Sequence, residues 1–176
     1  MRAVACVLAT TLIVLAPRAA DDPLAALATT IAARLVVVEE VARYKWNARL
    51  PASDPTREAA LLTNTLNAAA AIGVSPDRAR TIVEAQLAAS RTLQINAFER
   101  WRHAAQPPFE HVRDLDRELR PQLDALTQRL LIEVRDTEDL LGSCRTPVAL
   151  AAPTGIDSAI WAIAIEPLLP EEPCSG

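Results

Sequence analysis

An all-α fold is what the sequence predicts, on three observations: apolar residues recur at helical spacing through four long stretches, an N-cap residue followed by proline opens most of them, and strand-forming runs are scarce. The apolar share is 51%, mostly Ala, Leu, Val and Ile, with 3% aromatics and four glycines, so 176 residues fit one domain with a substantial core.

Residues 1–20 read as a signal peptide: Arg2, the apolar run Ala3–Ala16, then small residues to Ala20, too short to span a membrane. Cleavage after Ala16 or after Ala20 both fit, with Pro17 and Arg18 where small residues are usual. Residues 21–176 are then an exported helical domain, periplasmic or secreted. The formal charge is −4, and losing Arg2 and Arg18 makes it more negative, which argues against nucleic acid or anionic lipid as a partner. Cys6 leaves with the leader. Cys144 and Cys174 remain alone in an oxidising compartment and are expected to pair, a staple worth roughly 3–4 kcal/mol in the chain-entropy model; two free thiols are the alternative.

The first helix runs from Asp22–Pro23 to Leu50, where Pro51 ends it. Asp54–Pro55 caps a second that reaches about Ile72 and stops at Gly73, and Ser75–Pro76 starts a third that continues to about Ala105, before Pro107–Pro108. A fourth begins near Val112, tolerates or restarts at Pro121, and reaches Leu141, with Gly142 as its stop. Thr154–Asp157 caps a short C-terminal helix through about Ile165. Long helices joined by short turns must bury their apolar stripes against one another, which gives a helical bundle.

Function enters through the residues that interrupt those stripes. At 100° per residue, Leu27, Ile31, Arg34, Val38, Val41 and Lys45 share one narrow face, which places two cations about 16 Å apart along an apolar seam. A buried charge needs a partner or a wet cavity, although either side chain alone could snorkel to solvent. Lys45 is the only lysine among 18 basic residues. On the third helix Ala79, Val83, Leu87, Ser90, Gln94, Ala97 and Trp101 share a face; Ser90 could equally bond back to its own backbone and Gln94 could cross-link helices. Asp54, Arg57 and Glu58 open the second helix, where ordinary capping is the plain alternative, and Arg129 on the fourth could simply pair with Glu133 in solvent. His103 and His111 flank the proline turn without a third ligand at metal spacing and read as surface residues. No phosphate loop, dinucleotide turn, nucleophile elbow or zinc motif occurs, which leaves triad hydrolysis and cofactor chemistry unsupported.

The ordered set Arg34, Lys45 (in Val41–Trp46), Asp54, Arg57, Glu58, Ser90 and Gln94 resembles the all-α chorismate mutases. The leader, Cys144 with Cys174, and the segment Leu119–Leu126 resemble their secreted, periplasmic subclass over roughly residues 25–176. The resemblance implies a cofactor-independent, metal-free isomerase that rearranges chorismate to prephenate, built as a homodimer with each pocket inside one chain. It implies Lys45 and Gln94 as donors to the ether oxygen and Glu58 as acceptor of the ring hydroxyl. Arg34 and Arg57 would lie on the carboxylates, with Asp54 nearby, Ser90 at the carboxylate end, and Arg129 replacing an arginine that a neighbouring chain supplies in shorter relatives. A non-catalytic exported module that binds another small anion or a partner protein is the rival reading, and a purely structural bundle with incidental charges is the third.

Overall fold

The structure, a computed structural model, describes residues 22–141, 143 and 146–170, and these contain helices and no strand. The expected leader, the Gly142 stop and the Cys144–Cys174 bridge lie outside the described residues. The helices are α1 (Pro23–Asn47), α2 (Pro55–Ala71), α3 (Pro76–His103), α4 (Arg120–Asp136), α5 (Thr146–Ala149) and α6 (Ser158–Ile165). Among the described residues no helix is long and apolar enough to cross a membrane.

Each of the first three helices begins as its sequence dictates. Asp22, Asp54 and Ser75 accept the N–H of Leu24, Arg57 and Arg78 respectively, with proline in the first turn where a missing N–H costs nothing. Their ends share one device. Leu50 N–H bonds Lys45 O, Val74 bonds Ala69 O and Gln106 bonds Trp101 O, each around a left-handed residue: Arg49, Gly73 and Ala105. Only one of the three is glycine; Arg49 turns left-handed without it, and α1 stops at Asn47, three residues before the expected Leu50.

The fourth helix starts later than expected. Residues 104–114 form a loop, Asp114 caps a single wide π turn over Leu115–Leu119, and α4 follows directly. The wide turn bonds Arg120 N–H to Leu115 O, one residue further back than an α-helix would, and Pro121 follows in the first turn of α4. Thr137 then bonds back to Glu133 O and ends α4 at Asp136, short of Leu141.

α1 packs on α3 and α4, and α3 is covered on its other side by α6. Leu27, Ile31, Ile82, Leu130, Val134, Leu150, Trp161, Ala164 and Leu168 form the main core, all within 4% of full burial. Trp161 Nε1 donates to Leu150 O, so its indole is satisfied as well as buried. α2 is fastened less deeply, with only Thr65 and Ala69 fully buried. The space between α1, α2, α3 and the start of α4 is where the polar stripes meet.

Candidate active site

All six residues of the expected α1 face are buried, including Arg34 at 4% exposure and Lys45 at 8%. Arg34, Val38, Val41 and Lys45 front a cleft of about 710 Å³, open solvent at its mouth included, while Leu27 and Ile31 sit in the main core. Seven of the eight residues singled out from sequence line it: Arg34 and Lys45 from α1, Asp54, Arg57 and Glu58 from the start of α2, Ser90 and Gln94 from α3. Val38, Val41, Leu61, Leu87, Leu115 and Leu123 supply its apolar wall.

The eighth, Arg129, lies elsewhere. Its side chain is 62% exposed on the outer face of α4 and pairs with Glu133 one turn on at 2.8 Å. The expectation that it reaches the cleft is corrected by the α4 register: Arg120, nine residues earlier at the N-terminus of the helix, is the α4 arginine that lines the cavity. Sequence reading also missed Arg91 and Asp124. Arg91 bonds Glu58, and Arg57 reaches both oxygens of Asp124 at 2.8 and 3.0 Å. Two signals were available: Arg91 lies between Ser90 and Gln94, and Arg120 sits inside the Leu119–Leu126 segment.

Five cationic side chains and three carboxylates line the cleft, an excess of two positive charges in a chain that is negative overall. Burial lowers the Arg34 pKa to about 10, with Asp124 opposing the shift. Burial likewise pulls Lys45 down; Asp54 and Glu58 push it back up, and Arg120 adds to the lowering. Both cations are anchored by neutral acceptors. Lys45 Nζ donates to Ala52 O at 2.7 Å, which leaves two of its three hydrogens for a guest. Arg34 Nε and Nη1 are occupied, and its Nη2 has no partner among the described residues.

The remaining residues divide between scaffold and cavity. Asp54 caps α2 through Arg57 N–H at 3.1 Å and receives Arg120 Nη2 at 3.4 Å. Glu58 accepts from Arg91, from Asp54 N–H and from Ser53 Oγ. Ser90 Oγ bonds back to Gln86 O, which is the plain alternative weighed for it. Gln94 spends one amide hydrogen on Ser90 O at 3.1 Å; its other is free, and its buried Oε1 has no partner among the described residues. His103 and His111 are exposed, as expected. Among the described residues no group of three metal-capable side chains assembles.

Residues 25–95 match the family model for type II chorismate mutase. A crystal structure of chorismate mutase from Burkholderia thailandensis superposes with a TM-score of 0.76 at 39% identity, over 84% of this chain and 99% of that one. The chain belongs to the chorismate mutase family. The secreted chorismate mutase of Mycobacterium tuberculosis is 30% identical over 122 residues, and the aligned part spans 60% of its length and 68% of this chain. A chorismate mutase structure from Burkholderia phymatum, at 23% identity, shares the fold with a TM-score of 0.77. The matched segment holds the seven expected residues that line the cleft; Leu115, Arg120, Leu123 and Asp124 lie beyond it.

Proposed function

We propose that this protein is an exported chorismate mutase, converting chorismate to prephenate without cofactor or metal. The observation that carries the reading is the cleft itself: an excess of two positive charges and free N–H donors from separate helices, around a volume suited to a compact dicarboxylate. A [3,3] rearrangement breaks one carbon–oxygen bond and makes one carbon–carbon bond in a single step, so it needs neither nucleophile nor base. The protein's part is to hold the folded, chair-like substrate and to stabilise the charge that grows on the ether oxygen.

In this reading Lys45 Nζ and the free amide hydrogen of Gln94 meet the ether oxygen. These contacts strengthen as the bond stretches, so they favour the transition state over the ground state. Arg34 holds one carboxylate from the floor of the cleft. Arg57 and Arg120 serve the other from its mouth, Arg120 in the part first expected of Arg129. Glu58, oriented by Arg91, accepts the ring hydroxyl; Asp54 shapes the α2 terminus, and Ser90 lines the carboxylate end. The leader at 1–20, the Cys144–Cys174 staple and a homodimer with one complete pocket per chain belong to the same proposal. The secreted relative supports export.

The deciding experiment adds purified mature protein to chorismate and follows loss of its ultraviolet absorbance, with prephenate identified as product. Turnover is expected. Binding of a bicyclic dicarboxylate without turnover would instead give the anion-binding reading, and neither binding nor a rise in melting temperature would leave only a structural bundle.

A further inference from the structure

Arg34 is buried, yet no carboxylate touches it. Its Nε donates to Gln86 Oε1 at 3.2 Å, and its Nη1 donates to Thr127 Oγ1 and, at 3.1 Å, to Leu123 O. Gln86 is 2% exposed and is pinned from the far side, where its Nε2 donates to Ala164 O at 2.8 Å, among the last carbonyls of α6. The amide orientation is therefore fixed at both ends: oxygen toward the guanidinium, nitrogen toward the helix terminus. Thr127 is held likewise. It is 5% exposed and donates its hydroxyl hydrogen to Leu123 O at 2.7 Å, leaving only lone pairs for Arg34. Asp124, the nearest influence of opposite charge on Arg34, is engaged by Arg57.

We infer that Gln86 and Thr127 are positioning residues for substrate binding, a cradle of neutral acceptors that locks the Arg34 guanidinium in place while leaving its positive charge for a substrate carboxylate. The inference rests on the proposed mutase reading. A buried arginine is ordinarily matched by a carboxylate, which would hold it at least as firmly. Such a partner here would neutralise the charge the guest requires. Dipoles from an amide, a hydroxyl and a carbonyl satisfy the N–H groups without that cancellation. Gln86 also extends the site's support to α6, so the C-terminal helix, remote from the cleft lining, fixes the angle at which Arg34 meets its ligand.

Gln86→Glu separates this role from simple packing. When protonated, the new side chain reproduces the amide, accepting from Arg34 and donating to Ala164 O. When ionised, it neutralises Arg34 and turns a second acceptor toward that carbonyl. The charged groups bearing on it are Arg34 from α1 and, through Arg34, Asp124 from α4; α6 offers only the carbonyl. Arg34 at hydrogen-bond distance favours the ionised form, so KM for chorismate is expected about ten-fold or more above wild type around pH 7, with kcat moving less. Should that variant fail to fold, Thr127→Val is expected to raise KM about ten-fold, and Thr127→Ser, which keeps the acceptor, to restore most of it. A folded Gln86→Glu or a folded Thr127→Val with wild-type KM overturns the inference while the mutase reading stands. A wild type inert on chorismate overturns that reading instead; the same variants are then ranked by calorimetric affinity for a bicyclic dicarboxylate, with the same order expected, and a wild type that binds none overturns both.

Discussion

Replacing Lys45 by methionine keeps the apolar stem and removes the ammonium. The structure lets the stability and rate effects be weighed separately. On stability, the variant loses one charged hydrogen bond, to Ala52 O, and is relieved of burying a cation that is only 8% exposed. These terms oppose each other, so the melting free energy should stay within about 2 kcal/mol of wild type, and the helical circular dichroism should be unchanged. On rate, one of two donors to the developing oxyanion disappears, which typically costs about 10²–10³ in kcat, or ~3–4 kcal/mol. A spectrophotometric chorismate assay alongside a thermal melt reads both. The pH profile adds a second test. Burial lowers the Lys45 pKa, so its ammonium is lost earlier on the way up than that of an exposed lysine, and kcat/KM should fall on the alkaline side below the ordinary lysine range. Its stability term runs the other way. The unfolded chain holds that proton more tightly, so the cost of burying the charge is full below the folded pKa and is relieved as pH climbs toward the unfolded value. A Lys45→Met protein that turns over chorismate at near wild-type rate, or that loses rate only because it has unfolded, would refute the argument.

The neutral amide of Gln94 needs no proton to donate, so wild-type kcat/KM should be nearly flat between about pH 5 and 8, whereas Gln94→Glu should be active only toward acid, where the carboxyl is protonated; equal profiles would remove Gln94 from the ether oxygen. Arg120→Ala should raise KM about ten-fold or more through loss of a carboxylate contact, while Arg129→Ala should leave kcat/KM alone and cost under ~1 kcal/mol for an exposed helical pair; steady-state kinetics that reverse this order would restore Arg129 to the site. Leu27→Ala, in the centre of the main core at full burial, should destabilise by about 2–5 kcal/mol in urea unfolding without changing KM in the surviving folded fraction.

Helix starts were legible because each rests on local chemistry: an Asp or Ser side chain, a proline, and nothing from elsewhere in the chain. The ends of α2 and α3 fall within two residues of the expected Ile72 and Ala105, whereas α1 ends three residues before Leu50, where the left-handed residue is Arg49 rather than glycine. The α1 seam was readable from period alone, because Arg34 and Lys45 stand in an otherwise apolar row. Gln86 was equally readable in principle, sitting between Ile82 and Ala89 at i+4 and i+7 spacing. Its row becomes interior only when α6 covers it, a tertiary fact with no local trace. The α4 contribution depended on register across a loop and a π turn, which is why Arg129 was read where Arg120 stands.

The cleft holds its cations in two ways, and the difference bears on how a dianion can enter. Arg34 and Lys45 are deep and bound only to neutral oxygens, so their charge is fixed in place and uncancelled before any ligand arrives. Arg57, Arg91 and Arg120 are about a third exposed, and each is tied to a carboxylate. Those pairs join α2 to α3 and α4 where apolar burial is thin, yet partly exposed pairs contribute little individually and exchange partners readily. A carboxylate-bearing guest can therefore displace Asp124 from Arg57 or Asp54 from Arg120 at small net cost, replacing one charge-assisted bond by another. It could not displace a carboxylate from Arg34 so cheaply, because the released anion would have nowhere wet to go. Neutral acceptors at the floor and exchangeable carboxylates at the mouth are thus the arrangement that lets a bundle with a buried arginine remain both folded when empty and attractive to a doubly charged substrate.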